Sequence, residues 1–175
     1  MSTMKTIEIE KITLNIGAGK PGPELEKGKM LLEKITGAKP CETMTKKRLP
    51  AWNLRPGLVI GCKVTLRGKE AEELLKTLLK AKDSVLNSRS FDKKGNFSFG
   101  IKEYLDIPSI NYIPEVGIIG LEVAVSLQRK GFRIKRRKLQ TKKIPSRHNI
   151  SKQDGINYAK SLGCKVLEKE EAEEE

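Results

Sequence analysis

Residues 17–22, GAGKPG, match the pattern G-x-G-x-x-G, which in other proteins cradles a dinucleotide pyrophosphate. Such a site needs a free helix N-terminus, whose unpaired N–H groups and positive dipole end hold the phosphates. Here Glu24 and Glu26 follow at the start of the next predicted helix and would repel an anion, and Pro21 removes one N–H donor. The residues favour a glycine-rich turn after a strand, and no cofactor is expected.

Histidine and cysteine, which often supply bases, nucleophiles and soft metal ligands, are sparse in this chain. His148 is the only histidine and lies among lysines and arginines, so neither a Ser-His-Asp arrangement nor a multi-histidine metal site can be built. Cys41, Cys62 and Cys164 are far apart without a C-x-x-C pair, which argues against a zinc site or a disulfide framework. We expect all three to be small buried apolar residues. These residues therefore predict no catalytic constellation and no metal site.

The charge of the chain indicates a polyanionic partner instead. Its 175 residues include 35 lysines and arginines against 22 aspartates and glutamates, a net charge of +13. Residues 129–153 hold eleven basic residues and no acidic one, which is typical of a nucleic-acid contact, whereas residues 167–175 are predicted to be a disordered acidic tail. No stretch is apolar for long enough to span a bilayer, and the first residues do not resemble a secretory leader, so a cytoplasmic location is expected.

The apolar periodicity predicts an α+β fold in a single domain at residues 1–166. Helices follow strands irregularly, with a hairpin among them, which favours a largely antiparallel sheet with helices packed on one face and an RNA-binding opposite face. The strands are expected at residues 7–16, 39–45, 58–68 and 121–128, with the hairpin at 88–104. The helices are expected from Pro23 to Gly37, over residues 69–86, and over residues 151–162 after a capping box.

Two of the predicted strands have informative patterns. The first changes its apolar phase between Ile9 and Ile12, which indicates a bulge or a bend. In the strand at residues 58–68, apolar side chains alternate with Lys63, Thr65 and Arg67. This strand therefore has one core face and one polar, cationic face.

Three blocks of the sequence, KITLNIGAG, RPGLVIGCKVTLRG and SFDKKGNFSFGIKEY, resemble in this order the signature blocks of the ribosomal protein L-five family, which binds 5S ribosomal RNA. The stretches GLEVAVSLQRKGFRIKRRK and HNISKQDGINYA are similar to the archaeal and eukaryotic branch of the family, and an archaeal source is expected. The resemblance implies a structural component of the central protuberance of the large ribosomal subunit, and no catalysis. The partners that it implies are 5S rRNA, large-subunit rRNA, P-site tRNA and, across the inter-subunit bridge, small-subunit protein S-thirteen.

The resemblance also implies roles for particular residues. Polar side chains, closely approaching glycines and their basic neighbours are expected to bind 5S rRNA, namely Asn15, Gly17, Gly19, Lys63, Thr65 and Arg67. The loop of residues 45–57 matches the family's tip that reaches P-site tRNA, with Lys46, Lys47, Arg48, Trp52 and Arg55 as contacts. Residues 129–153, which we call the basic segment, are expected to contact rRNA through Arg133, Lys135, Arg136, Arg137 and Lys138.

Several alternatives stay open at the level of the sequence. Asn15 could be a turn residue that bonds to its own backbone, and Trp52 could pack against its own domain. A non-ribosomal RNA chaperone or DNA-binding protein is a second class of function, and a nucleotide-dependent enzyme is a third. Co-purification of 5S rRNA, unselective binding of duplex DNA and saturable binding of a nucleotide would distinguish the three.

Overall fold

The computed structural model of the chain describes residues 3–108 and 110–167. Its helices are α1 (Pro23–Thr36), α2 (Lys69–Lys80) and α3 (Lys152–Ser161), and its strands are β1 (Ile7–Gly17), β2 (Cys41–Met44), β3 (Val59–Leu66), β4 (Val85–Asn87), β5 (Phe97–Ile101), β6 (Leu121–Arg129) and β7 (Lys165–Leu167). Five strands form one sheet in the order β2-β3-β1-β6-β5, and β4 pairs in parallel with β7. The predicted α+β class with a largely antiparallel sheet is confirmed. The predicted acidic tail covers residues 167–175. Its first residue, Leu167, ends β7, and residues 168–175 lie outside the described residues.

The described residues group into two compact units. The first unit comprises residues 3–12, 67–99 and 124–167, and the second comprises residues 13–66, 100–108 and 110–123. The strands β1 and β6 contribute residues to both.

Helix α1 begins and ends where the sequence predicts. Proline suits the first helical position because its ring fixes φ and its missing N–H has no partner there, and Gly37 ends the helix with a left-handed φ of 65°. Gly28 faces the sheet, since a Cβ placed there would lie 3.2 Å from both Cys62 Sγ and Ile16 Cγ2. In the second unit, α1 therefore covers one side of β1 and β3.

Helix α2 is shorter than predicted, because its apolar spacing continues beyond the residues that are helical. The helix ends at Lys80, and Asp83 and Ser84 have φ values of 54° and 58°, outside the right-handed helical region. Val85 then begins β4. The last apolar position assigned to the helix thus belongs to a strand.

Helix α3 is held in the first unit against the turn at residues 92–96, which we call the hairpin turn. The hairpin predicted at residues 88–104 is reduced to a single antiparallel bridge between Phe91 and Phe97, because Ser88–Ser90 form a 3-10 helix instead of a strand. The capping box is confirmed: Ser151 Oγ accepts a hydrogen bond from the Asp154 N–H (3.2 Å), and Asp154 Oδ2 accepts one from the Ser151 N–H (3.1 Å). Gly155 lies one helical turn after Ser151, and a Cβ there would overlap the backbone of Gly95 in the hairpin turn. Gly95 itself has a φ of 72°. Glycine at both positions lets the helix and the turn make backbone contact.

Candidate nucleic-acid interface

The strands β1 and β3 present a polar surface on the side away from α1. In β3, buried Cys62 and Val64 alternate with exposed Lys63 and half-buried Thr65. In β1, half-buried Asn15 lies between two buried residues in the same way. Because α1 covers the buried side, the polar residues lie together on the other side, as predicted. We call this surface the strand face, and its members are Asn15, Gly17, Lys63 and Thr65.

Asn15 makes a hydrogen bond across the sheet. Its Nδ2 donates to Oε2 of Glu122, an exposed residue of the neighbouring strand β6, at 3.2 Å. The alternative that Asn15 is a turn residue is wrong, since it lies inside β1 and bonds to another strand. Sequence reasoning missed Glu122, because only the order of the strands brings the two side chains together.

The glycine-rich turn after β1 is used by the fold itself. The N–H groups of Ala18 and Gly19 both donate to the carbonyl of Ile60, each at 2.9 Å, so these donors are not available to a pyrophosphate. Gly19 has φ 70°, which favours glycine. Gly17 is different: it is exposed, lacks a positive φ, and a Cβ there would meet nothing within 4 Å. The fold therefore requires Gly19 but leaves Gly17 open to a partner.

Cys41 lies at the border of the strand face. It pairs directly with Lys63 in the antiparallel β2–β3 ladder, and directly opposed residues project to the same side of a sheet. The expectation that all three cysteines are buried is wrong for Cys41, which is exposed because β2 is an edge strand with few covering residues. Cys62 and Cys164 are buried as predicted, and burial raises the pKa of both thiols.

Arg67 lies just beyond the end of β3 and is exposed. It belongs to the first unit, whereas the other residues predicted to bind 5S rRNA belong to the second. The strand face is therefore defined without it.

The loop of residues 45–57, which we call the tip loop, has an ordered backbone. At its base the Thr45 N–H donates to the Leu58 carbonyl at 2.8 Å. Near its end, Leu49 and Leu54 exchange two backbone hydrogen bonds of 3.0 and 3.1 Å and enclose a short 3-10 helix at Pro50–Trp52. These bonds close the end of the loop on itself.

Trp52 and the basic residues of the tip loop face solvent. Trp52 is 74% exposed, so the alternative that it packs against its own domain is wrong. Within the described parts of the chain, no carboxylate lies within 4.0 Å of the exposed cations of this loop, Lys46, Lys47, Arg48 and Arg55. The loop offers an aromatic ring beside unpaired positive charges.

The basic segment is partly neutralised inside the first unit. Arg136 donates to Glu10 Oε1 at 2.7 Å and to Gln128 Oε1 at 2.8 Å, and Arg137 donates to the Gln140 carbonyl at 2.9 Å. The ammonium of Lys135 lies 4.8 Å from the centre of the Phe132 ring. Arg133 and Lys138 are exposed, and neither is within 4.0 Å of a carboxylate in residues 3–108 and 110–167. Fewer of these cations are free than the sequence suggests.

The described residues contain neither a membrane-spanning helix nor a cluster of metal ligands. None of the helices there is long and apolar enough to cross a membrane. In the same residues, no group of three or more His, Cys, Asp or Glu side chains is arranged to hold a metal ion.

Both halves of the chain match ribosomal families. Residues 59–158 match the family model described as the C-terminus of the ribosomal L5 family, and residues 2–55 match the one described as Ribosomal protein L5. The chain is 47% identical over 166 residues to large ribosomal subunit protein uL5 of Nanoarchaeum equitans (strain Kin4-M), covering 94% of this chain and 98% of the relative. It is 45% identical over 167 residues to the uL5 of Methanococcus aeolicus, covering 93% and 92%, and 44% identical over 161 residues to that of Sulfurisphaera tokodaii, covering 91% of each.

Proposed function

Because the chain belongs to the ribosomal L5 family, a family of structural, non-enzymatic components of the large ribosomal subunit, we propose that it binds 5S rRNA through its strand face. This contact helps to anchor the RNA in the central protuberance. The observation that carries the proposal is the clustering of Asn15, Lys63 and Thr65 on neighbouring strands, beside a glycine that the fold itself does not need.

The chemistry of the strand face suits the backbone of folded RNA. Lys63 supplies a positive charge for phosphate, and the Thr65 hydroxyl both donates and accepts, as a 2′-hydroxyl does. Asn15 keeps Oδ1 as an acceptor while Nδ2 is held by Glu122. At Gly17 the absence of a side chain allows the RNA to approach the protein backbone closely.

A pair of alanine substitutions tests the strand face. Gly17→Ala adds one methyl group in open space, so we expect the thermal midpoint to stay the same while the Kd for 5S rRNA rises about tenfold, which corresponds to roughly 1.4 kcal/mol. Gly100→Ala is the matched control, since Gly100 is also exposed, lacks a positive φ and has open space, but lies on edge strand β5. Equal affinities of the two variants would refute the proposal.

Two further substitutions and the salt dependence complete this test. Asn15→Ala and Thr65→Ala should weaken 5S binding and leave the thermal midpoint nearly unchanged, because neither side chain is buried. The affinity should fall with salt by a log-log slope of roughly 0.7 to 0.9 per phosphate contact. A flat salt dependence, or early unfolding of either variant with its RNA affinity retained, would contradict the electrostatic contact.

The tip loop is proposed to contact P-site tRNA. An exposed indole offers a surface for an unstacked base, a contact worth about 1–3 kcal/mol, and the neighbouring cations can meet phosphates. Trp52 is the only tryptophan of the chain, so its fluorescence reports on this loop alone. We expect tRNA in assembled ribosomes, but not isolated 5S rRNA, to quench it.

Deleting residues 49–53 separates the two RNA contacts. The variant should keep its 5S affinity and its fold, and protection of the tRNA elbow in assembled ribosomes should weaken. Leu49→Ala, which trims an exposed side chain of the same loop, is the control. Loss of 5S binding would place the loop in the 5S contact, and an unchanged tRNA footprint would refute its proposed role.

The family also supports two broader contacts as proposals. Large-subunit rRNA would be met by the free cations of the basic segment, Arg133 and Lys138. Small-subunit protein S-thirteen would be the partner in the inter-subunit bridge, for which the turn after Tyr112 and residues 129–138 are the candidate contacts.

A further inference from the structure

The first unit contains a cavity of about 490 Å³ that the proposed contacts do not explain. This volume lies within the range of about 300–1,000 Å³ that small-molecule sites occupy. Its lining combines cationic and amide side chains with apolar ones, and the cations are Lys11, Lys94, Lys135 and Lys143. They come from β1, the hairpin turn and the basic segment, so only the folded chain brings them to one cavity.

The carboxylates near this cavity already accept hydrogen bonds from the protein itself. Glu10 is the acidic residue of the lining, and its Oε1 is held by Arg136 at 2.7 Å. In the adjacent turn, Asp92 Oδ1 accepts hydrogen bonds from the N–H groups of Lys94 and Asn96, each at 2.8 Å. Among the described residues, none of the four lysines has a carboxylate within 4.0 Å. The cavity therefore has a net positive charge that is left for an anion.

The cavity is held in shape by the elements that surround it. Asn96 Oδ1 accepts a hydrogen bond from the Leu127 N–H at 2.9 Å, which ties the hairpin turn to β6. On its other side the turn is in backbone contact with α3 through Gly95 and Gly155. The backbone of Lys94 thus has a fixed position before any ligand binds, which lowers the entropy that binding must remove.

The lining is suited to the phosphate of a nucleotide and not to its base. A base would need an open aromatic face, but Lys135 lies 4.8 Å above the ring of Phe132, and the edge of His148 packs against that ring at a centroid distance of 5.8 Å. Lys11, Lys94 and Lys143 remain free for phosphate oxygens, and the exposed Asn149 amide adds a further donor.

From this geometry we infer that the cavity, which the basic segment lines together with β1 and the hairpin turn, is a distinct RNA site that binds backbone phosphates without reading the bases. The inference rests on the proposed function, since it assumes that the partner of this protein is RNA. It extends that function because it adds Lys11 of β1 and Lys94 of the hairpin turn to the basic segment as phosphate contacts of the first unit. The RNA is either 5S rRNA or large-subunit rRNA, and both offer the same phosphate chemistry.

Lysine footprinting of the full-length chain tests the site without substitutions. The free and RNA-bound protein would be acetylated and analysed by mass spectrometry, once with 5S rRNA and once with large-subunit rRNA. We expect Lys11, Lys94 and Lys143 to lose reactivity with at least one RNA, while exposed Lys76 and Lys80 of α2 keep theirs. Full reactivity of the cavity lysines with both RNAs would overturn the inference.

A charge-matched pair of double variants gives the second readout. Lys94→Ala with Lys143→Ala removes two proposed phosphate contacts, so the log-log salt slope should fall by about 1.4 to 1.8 for the RNA that occupies the cavity. Lys76→Ala with Lys80→Ala removes the same charge from α2 and should leave the slope unchanged. If the two double variants have the same salt slope with each RNA, the cavity site is refuted and the strand face is not. A failure of only the Gly17→Ala test refutes the strand face alone.

Discussion

The thiol of Cys41 can report on whether RNA covers the strand face. In the free chain, N-ethylmaleimide should modify one of the three cysteines rapidly, because Cys41 is exposed whereas Cys62 and Cys164 are 0% and 5% exposed. Burial also raises the pKa of these two thiols, which lowers the fraction of reactive thiolate. Intact-mass spectra should therefore show a single label at early times.

The protection that RNA gives to Cys41 follows from its position. Cys41 lies directly opposite Lys63, and opposed Cβ atoms in an antiparallel pair are about 4.5–5.5 Å apart. RNA bound to Lys63 should therefore block the thiol. If only the free protein reacts, 5S rRNA at 100 times its Kd should slow labelling about a hundredfold.

A second thiol controls for the general effect of a bound polyanion. In Lys80→Cys, the new thiol is on an exposed position of α2, a helix with no residue among the proposed RNA contacts, and its labelling rate should be unchanged by 5S rRNA. Equal rates for Cys41 with and without saturating 5S rRNA would show that this RNA binds elsewhere. Rapid labelling of Cys62 in the free chain would contradict its burial between α1 and the sheet.

Two further predictions concern the units that carry the sites. Tyr104→Phe should destabilise the protein by about 1–3 kcal/mol in urea unfolding and speed amide exchange at Ile113, because the fully buried Tyr104 hydroxyl accepts a hydrogen bond from that N–H at 3.0 Å. Tyr112→Phe, in an exposed position, should change stability by less than about 0.5 kcal/mol, and equal effects of the two would contradict the buried bond. The pKa of Asp154 is lowered from 3.8, chiefly by the hydrogen bond from the Ser151 backbone, so its stabilising effect is present above that value and lost as the pH falls below it. The difference in stability between the wild type and Asp154→Asn should therefore shrink toward zero below about pH 4, and a constant difference down to pH 2 would refute this.

The sequence predicts those elements whose signals act over a few residues. Pro23 and Gly37 bound α1, and Ser151 with Asp154 opens α3, because each of these residues satisfies backbone groups within one helical turn. The alternation in β3 likewise determines the side on which Lys63 lies, since the side-chain period of a strand is two.

The remaining features depend on partners that are distant in the sequence. Val85 continues the apolar spacing of α2, and only its pairing with β7 makes it part of a strand. Cysteine is a residue type that is usually buried, but Cys41 is exposed because β2 lies at the edge of the sheet. Trp52 stays exposed because the tip loop is closed by its own backbone bonds. In each case the deciding interaction is between elements or across a loop, and a local pattern cannot predict it.

The arrangement of the two units along the chain has a consequence for the order in which a nascent polypeptide can fold. The second unit has no residue beyond 123, so all of its chain has been synthesised while the first unit still lacks α3 and β7. Until then β4 has no partner, and the glycine contact between the hairpin turn and α3 cannot form. Domains generally fold as units during synthesis, beginning with the part that is completed first. The strand face should therefore be ready for RNA before the cavity exists. Synthesis from the N-terminus would then set the order in which the two proposed contacts form.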